Sequence, residues 1–211
     1  MLIPFTLSLA LISACPSSVL NENLQSNIVF TSNFDATIWG GIEIHSKSTL
    51  AIGQASDTTV PVTLTNVSTN KSQQISAQRG ICGTLKNDKF DRQLDAYNNS
   101  SLLLVNAPAD LKVGSTWKSI IGIFLSDVEH VDVPVTIKIV KMDSNGVFVQ
   151  ATGETTGILA QYGAPFDMTY QAAALFKDGM FIRANSAAQE AVQAGPQSQT
   201  MKFAWSVARK T

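Results

Sequence analysis

Val133, Val135, Ile137 and Ile139 alternate with Thr136 and Lys138, and after Asp143-Ser144-Asn145-Gly146 the alternation resumes at Val147, Val149 and Ala151. A side-chain period of two belongs to a strand with one dry and one wet face, and Asn and Gly tolerate the left-handed backbone of a tight turn. The segment is predicted to be a β-hairpin. The same period recurs at Ile28 and Phe30, at Ile42 and Ile44 around Glu43 and His45, and at Val60, Val62 and Leu64 with a return over Ile75 to Arg79. A second hairpin is predicted where Met168 to Phe176 meets Met180 to Ala184, and Met201, Phe203, Trp205 and Val207 share one face of a last strand. The chain is expected to be mostly β: an antiparallel sandwich or a strongly curved sheet, with one or two short helices.

The helices have weaker signals. Phe90, Leu94 and Tyr97 fall at helical spacing after an N-cap candidate, Asp88, within 86–99. Ser186-Ala187-Ala188-Gln189 has the form of a capping box before Gly195-Pro196, which makes 187–194 a short helix or, equally, a loop. Leu102-Leu103-Leu104-Val105 reads as a strand, and Trp117 to Leu125, apolar at both parities, reads as a strand covered on both sides. Val60-Pro61-Val62-Thr63-Leu64 and Val133-Pro134-Val135-Thr136-Ile137 echo each other at an offset of 73 (133 minus 60), which suggests two similar β halves with a boundary near 100–108.

Met1 to Cys15 is an apolar run with small residues at its end, too short for a bilayer-spanning helix of about 20 apolar residues. It reads as a signal peptide over 1–14, followed by a polar tether over 15–26 and a β-rich domain over 27–211. No basic residue precedes Lys47, a departure from the usual signal pattern. Ile12-Ser13-Ala14-Cys15 resembles the lipobox of bacterial lipoproteins, which implies lipidation of Cys15, a membrane anchor and a place in the cell envelope. Without lipidation, Cys15 and Cys82 are the pair available for one disulfide. A second, shorter resemblance lies at Pro108-Ala109-Asp110-Leu111-Lys112-Val113-Gly114-Ser115-Thr116-Trp117. It is similar to a Pro-x-x-Leu-x-Val-Gly-x-x-Trp element of exported bacterial β-rich domains of unknown function; physically it needs only a turn with Gly at positive φ that delivers a Trp into the core.

Charged residues are 15% of the chain, against about 25% in ordinary soluble domains, and the net charge is -1. Such a chain offers no basic field for phosphates, so nucleic acid is not an expected partner. The densest ionisable segment is Asp127-Val128-Glu129-His130-Val131-Asp132. In a strand Asp127 and Glu129 would share one face, and His130 and Asp132 the other. At most two ligands would then converge, and a metal site would need His45 from elsewhere. Charges guarding a strand edge explain the cluster more simply. Cys82 with His45 or His130 can be written as a nucleophile and its base, and nothing in their spacing brings them together. Tyr162, Phe166 and Tyr170 are candidates for a ligand-contacting rim, although aromatic packing over the end of a sheet accounts for them as well. The four sequons at Asn66, Asn70, Asn98 and Asn99 have meaning only in a eukaryotic secretory pathway.

No cofactor motif, phosphate loop or hydrolase signature occurs in the sequence. Three function classes follow, with the first expected: a non-catalytic envelope protein with a binding or structural role, a carrier of an apolar ligand in a β cavity, or a hydrolase or metal-dependent enzyme built on 127–132. The expected partners are a membrane, through the lipid anchor, and an apolar ligand or an envelope protein.

Overall fold

The computed structural model describes residues 28–54, 56, 59–87, 92–125, 130–160, 163–177, 180–194 and 197–210. In chain order these form β1 (Ile28–Ile38), β2 (Ile42–Ile52), β3 (Thr59–Asn66), β4 (Lys71–Arg79), β5 (Leu85–Lys86), α1 (Arg92–Leu102), β6 (Thr116–Phe124), β7 (His130–Asp143), β8 (Gly146–Leu159), β9 (Ala164–Lys177), β10 (Met180–Ala194) and β11 (Gln197–Arg209). The strands make one antiparallel sheet in the order β5-β4-β3-β2-β1-β11-β10-β9-β8-β7-β6. It consists of two meanders, β1 to β5 and β6 to β11, joined where β1 lies against β11.

Taken as a ring, every chain neighbour pairs except β5 with β6, so the sheet is a circuit with one seam left open. Helix α1 connects the two seam strands. Laid flat, eleven strands about 4.8 Å apart would span roughly 48 Å, whereas an 11-residue helix is roughly 16 Å long. Yet α1 touches β1, β2, β10 and β11 at the middle of the sheet and β6 at its edge, and its Asn98 bonds β5 at the other edge. The sheet therefore has to curl around the helix, and its concave face is the core.

The alternation that builds this core is strictest in β7, where Val131, Val133, Val135, Ile137 and Ile139 are buried and Asp132, Pro134, Thr136 and Lys138 are exposed. Around α1 the concave face is aromatic. Tyr97 meets the Phe30 ring at 5.2 Å and the Phe181 ring at 6.2 Å, and Phe181 also lies 5.6 Å from Phe30 and 5.9 Å from Phe176. The Pro108–Trp117 element behaves as its residues require. Gly114 takes φ +91°, its N–H donates to the Ile139 carbonyl, and buried Trp117 donates from Nε1 to the Leu103 carbonyl at 2.9 Å.

Several expectations need correction. The sandwich alternative fails, because there is one sheet and it covers its own core. Residues 187–194 are strand, not helix or loop: Ala188, Glu190 and Val192 of β10 are buried at a period of two, with β9 and β11 paired on either side. Leu102 ends α1 and Leu103 to Val105 form the buried turn after it, so that apolar run is not a strand. β6 is an edge strand with Ile120 59% exposed and is therefore not covered on both sides. The helix expected over 86–99 lies at Arg92–Leu102 and buries Leu94 and Tyr97; Asp88 and Phe90 fall outside the described residues. The two halves of the internal echo are β3 with β4 and β7 with β8, each an antiparallel hairpin.

Candidate functional site

The convex face of the sheet carries a trough. Its register is a row of side chains running from His45 on β2 through Asp35 on β1, Ala204 on β11, Ala187 on β10 and Gln171 on β9 to Thr152 on β8. Two adjoining depressions of about 590 and 570 Å³ share Asp35, Thr152, Gln171, Ala187 and Ala204 in their lining. The cause is local: Ala187 and Ala204 are directly paired, so the floor has two methyl groups where neighbouring rows carry longer side chains such as Gln189 and Lys202. Across six strands the trough is roughly 24 Å long. The walls offer amides, hydroxyls and few charges.

One end of the trough is ionisable. Asp35 and His45 face each other across β1 and β2, with His45 Nδ1 2.7 Å from Asp35 Oδ1 and Nε2 3.6 Å from Glu43 Oε2. The hydrogen bond to Asp35, with the charge of Asp35 and then Glu43 adding to it, raises the His45 pKa above its ordinary 6.5 against an opposing effect of desolvation. His45 is thus held by two carboxylates on its own side of the sheet and does not join the 127–132 segment.

Of that segment, Asp127 and Glu129 lie outside the described residues. His130 and Asp132 share the exposed face of β7, as the alternation predicted, 3.9 Å apart, with the His130 ring 5.4 Å from Phe124. Five strands separate β2 from β7 in the sheet, so the expected help from His45 is not supplied. Among the described residues no group of three or more His, Cys, Asp or Glu is placed to hold a metal ion.

Cys82 is not a free thiol. It is buried in the short turn between β4 and β5 at φ +54° and is disulfide-bonded, so pairing it with His45 or His130 as a nucleophile fails. The only other cysteine, Cys15, lies outside the described residues.

Phe166 and Tyr170 lie on the concave face, buried in β9, and Tyr162 lies outside the described residues. They are packing residues: Phe166 sits opposite Gly157 and Tyr170 opposite Gly153 on β8. A β-carbon on Gly157 would press into the Phe166 ring. Burial pushes the Tyr170 phenol well above its usual range, against a weaker lowering by its hydrogen bond to Ser186. Sequence reading also missed Glu190, fully buried on the concave face, with Met168 and Met201 beside it in the register. Its signal was hidden by the false capping box: a helix would have put Glu190 in solvent, whereas the period of two puts it with Ala188 and Val192.

The fold and these sites define a class, an open antiparallel β-sheet curled around one helix. No family model matches the chain, and no curated protein matches it. Among solved structures it is similar to a protein of unknown function of the DUF3598 family from Nostoc punctiforme, with 9% identity, coverage of 92% of this chain and 98% of that one, and a TM-score of 0.25. Agreement that low carries no functional argument.

Proposed function

We propose that this chain is an exported, non-catalytic binding protein of the bacterial envelope and that the convex trough is its binding surface. The observation that carries the reading is the lining, an alanine floor at Ala187 and Ala204 in one row with Asp35, Gln171 and Thr152, flanked by Gln189 and Lys202 on one side and by Asn185 and Ser206 on the other. Such a surface suits an extended, polar and largely uncharged segment: the alanines leave room for it and the flanking amides and hydroxyls hydrogen-bond it. Export is supported by the apolar run to Cys15 and by the disulfide at Cys82, since disulfides persist in oxidising compartments. Within one chain of two cysteines, that disulfide and a lipid thioether on Cys15 exclude each other.

The test is genetic and structural together. Ala187→Trp fills the floor from the solvent side. It should leave circular dichroism and melting unchanged while failing to complement a deletion strain of the host. His130→Asn with Asp132→Asn, outside the trough, should complement fully. Full complementation by Ala187→Trp would overturn the proposal. Failure of the folded His130/Asp132 variant would move attention to an enzyme using Asp127, Glu129, His130 and Asp132.

A second reading, a carrier of an apolar ligand, is favoured by the aromatic concave face of Phe30, Phe176 and Phe181 beneath α1. The ligand would have to take the place that Tyr97 of α1 holds against that face.

A further inference from the structure

The net charge of -1 conceals a segregation along the sheet. Strands β7 and β9 flank β8 and run in the same direction, and each has a carboxylate near its start and lysine toward its end: Asp132 against Lys138 and Lys141 in β7, Asp167 against Lys177 in β9. Glu154 lies on the acidic side in antiparallel β8, and Arg183 on the basic side near the start of β10. All of these side chains are exposed. The basic end is the one that carries the turns after β7 and β9.

The same end exposes apolar side chains. Lys112 to Ser115 is a tight turn, closed by the Ser115 N–H on the Lys112 carbonyl at 2.9 Å, with Gly114 at φ +91° in its third position. Turn corners favour Pro and polar residues, yet the second position here is Val113, 59% exposed. The Gly114 N–H donates to the Ile139 carbonyl, which sets this turn against the end of β7. There β7 bulges between Ile139 and Lys141, and the added residue, Val140, is exposed, as is Met142 before the hairpin turn. Beyond the bulge the register runs Lys141, Phe148, Leu175, Arg183, so two half-buried apolar side chains lie between two cations. Lys141 pairs with Asp143 at 2.7 Å and lies 5.5 Å over the Phe148 ring. Val113, Val140 and Met142 are not part of the trough lining.

We propose that this end of the sheet is a membrane-contact surface, which seats Val113, Val140 and Met142 among the headgroups of an anionic phospholipid bilayer, with Lys112, Lys138 and Lys141 at the phosphates. Exposed apolar side chains clustered within a polar rim mark a contact surface. The mixture selects lipid as the occupant. Lysine stems lie along apolar surface while their ammonium groups reach outward, and an anionic leaflet offers negative charge with an apolar layer beneath it. A nucleic acid would take the charge and leave the three apolar tips in water. The acidic end of the sheet faces away from such a bilayer, so the field of the molecule orients its approach. The contact is peripheral, made by a turn and a hairpin, and it needs no lipid on Cys15, which accords with the disulfide at Cys82.

Co-sedimentation of the protein with vesicles tests this, using phosphatidylcholine alone and phosphatidylcholine with phosphatidylglycerol in equal parts. Binding to the second and not to the first, weakened by added salt, is expected. Lys138→Glu with Lys141→Glu should weaken it roughly tenfold or more. Should that pair disturb β7, Lys112→Glu with Lys177→Glu, on other elements, reads the same charge. Val113→Gln with Val140→Gln should weaken binding by roughly three- to tenfold through lost apolar burial. Glu154→Gln at the acidic end and Ala187→Trp in the trough should bind as wild type does, which separates this surface from the trough. Equal binding to both kinds of vesicle, unaltered in every variant, would place the contact outside this surface and overturn the proposal. Absence of binding would overturn it as well, and if the folded Lys138/Lys141 variant then fails to complement a deletion strain, the surface serves an acidic protein instead. Binding that the lysine pairs weaken but the valine pair leaves unaltered would show attraction without insertion, and the seating of Val113 and Val140 would be wrong.

Discussion

At the scale of the residue, His45 is the group whose chemistry the fold changes most plainly. Asp35 and Glu43 stabilise its protonated form, so its pKa lies above 6.5. A raised folded value means that this contribution to stability is complete below about pH 6.5 and fades as pH climbs through the raised pKa. All three side chains are exposed, so the gain is small and screened by salt. Titration followed by NMR of the imidazole should place His45 above 6.5, and Asp35→Asn should bring it down toward that value. A titration that Asp35→Asn leaves unmoved would show that the 2.7 Å contact does not persist in solution. The residue scale is also where sequence reading reached least far. Asn98 and Asn99 looked like sequons, although their amides are engaged with Leu85 and Gly122. Their role depends on two strand edges that only the folded sheet brings near. Tyr170 and Phe166 share the buried parity of β9 with Met168, Ala172, Ala174 and Phe176, and a glycine of the next strand lies opposite each.

At the scale of the element, Ile137 and Lys138 are adjacent in β7 and experience opposite environments, the first fully buried and the second exposed. Ile137→Ala should cost about 2–5 kcal/mol, the usual result of removing a buried aliphatic side chain, whereas Lys138→Ala should stay within about 0.5 kcal/mol of wild type. Urea melts of the two variants give the comparison directly, and equal losses would contradict the assigned faces. β7 and β8 were legible in sequence because each local cue agreed: β-branched residues inward, Thr and Lys outward, and a turn with Asn145-Gly146. β10 was not, because its cues conflict. Alanine favours helix, and Ala184, Ala187, Ala188 and Ala191 sit in a strand only because β9 and β11 pair with it along nearly its whole length. Leu102 to Val105 failed for a different reason. A short apolar run states that a segment is buried and leaves its backbone undetermined.

At the scale of the whole molecule, the state of the N-terminal region connects compartment to chemistry. Mass spectrometry of protein expressed in a bacterium is expected to show a chain shortened to Cys15 or close to it. Under non-reducing conditions, Cys82 blocked against alkylation would establish the disulfide and remove the lipid anchor, while an alkylatable Cys82 with a lipidated Cys15 would do the reverse. An intact Met1 on soluble protein would end both export and anchorage.

The pairing of β1 with β11 has a further consequence, one of timing. Thr31 Oγ1 donates to the Ala208 carbonyl across 177 positions, and β1 and β11 flank every other strand in chain order. Hairpins such as β7 with β8 form from neighbours and need wait for nothing. The junction that makes two meanders one sheet has to wait for β11, and contacts of such long range are the slow ones to form. Until then each meander ends in an unsatisfied strand edge beside exposed aromatic residues. A newly made chain of this kind stays open to translocation, to chaperones and to aggregation for as long as its last strand is missing.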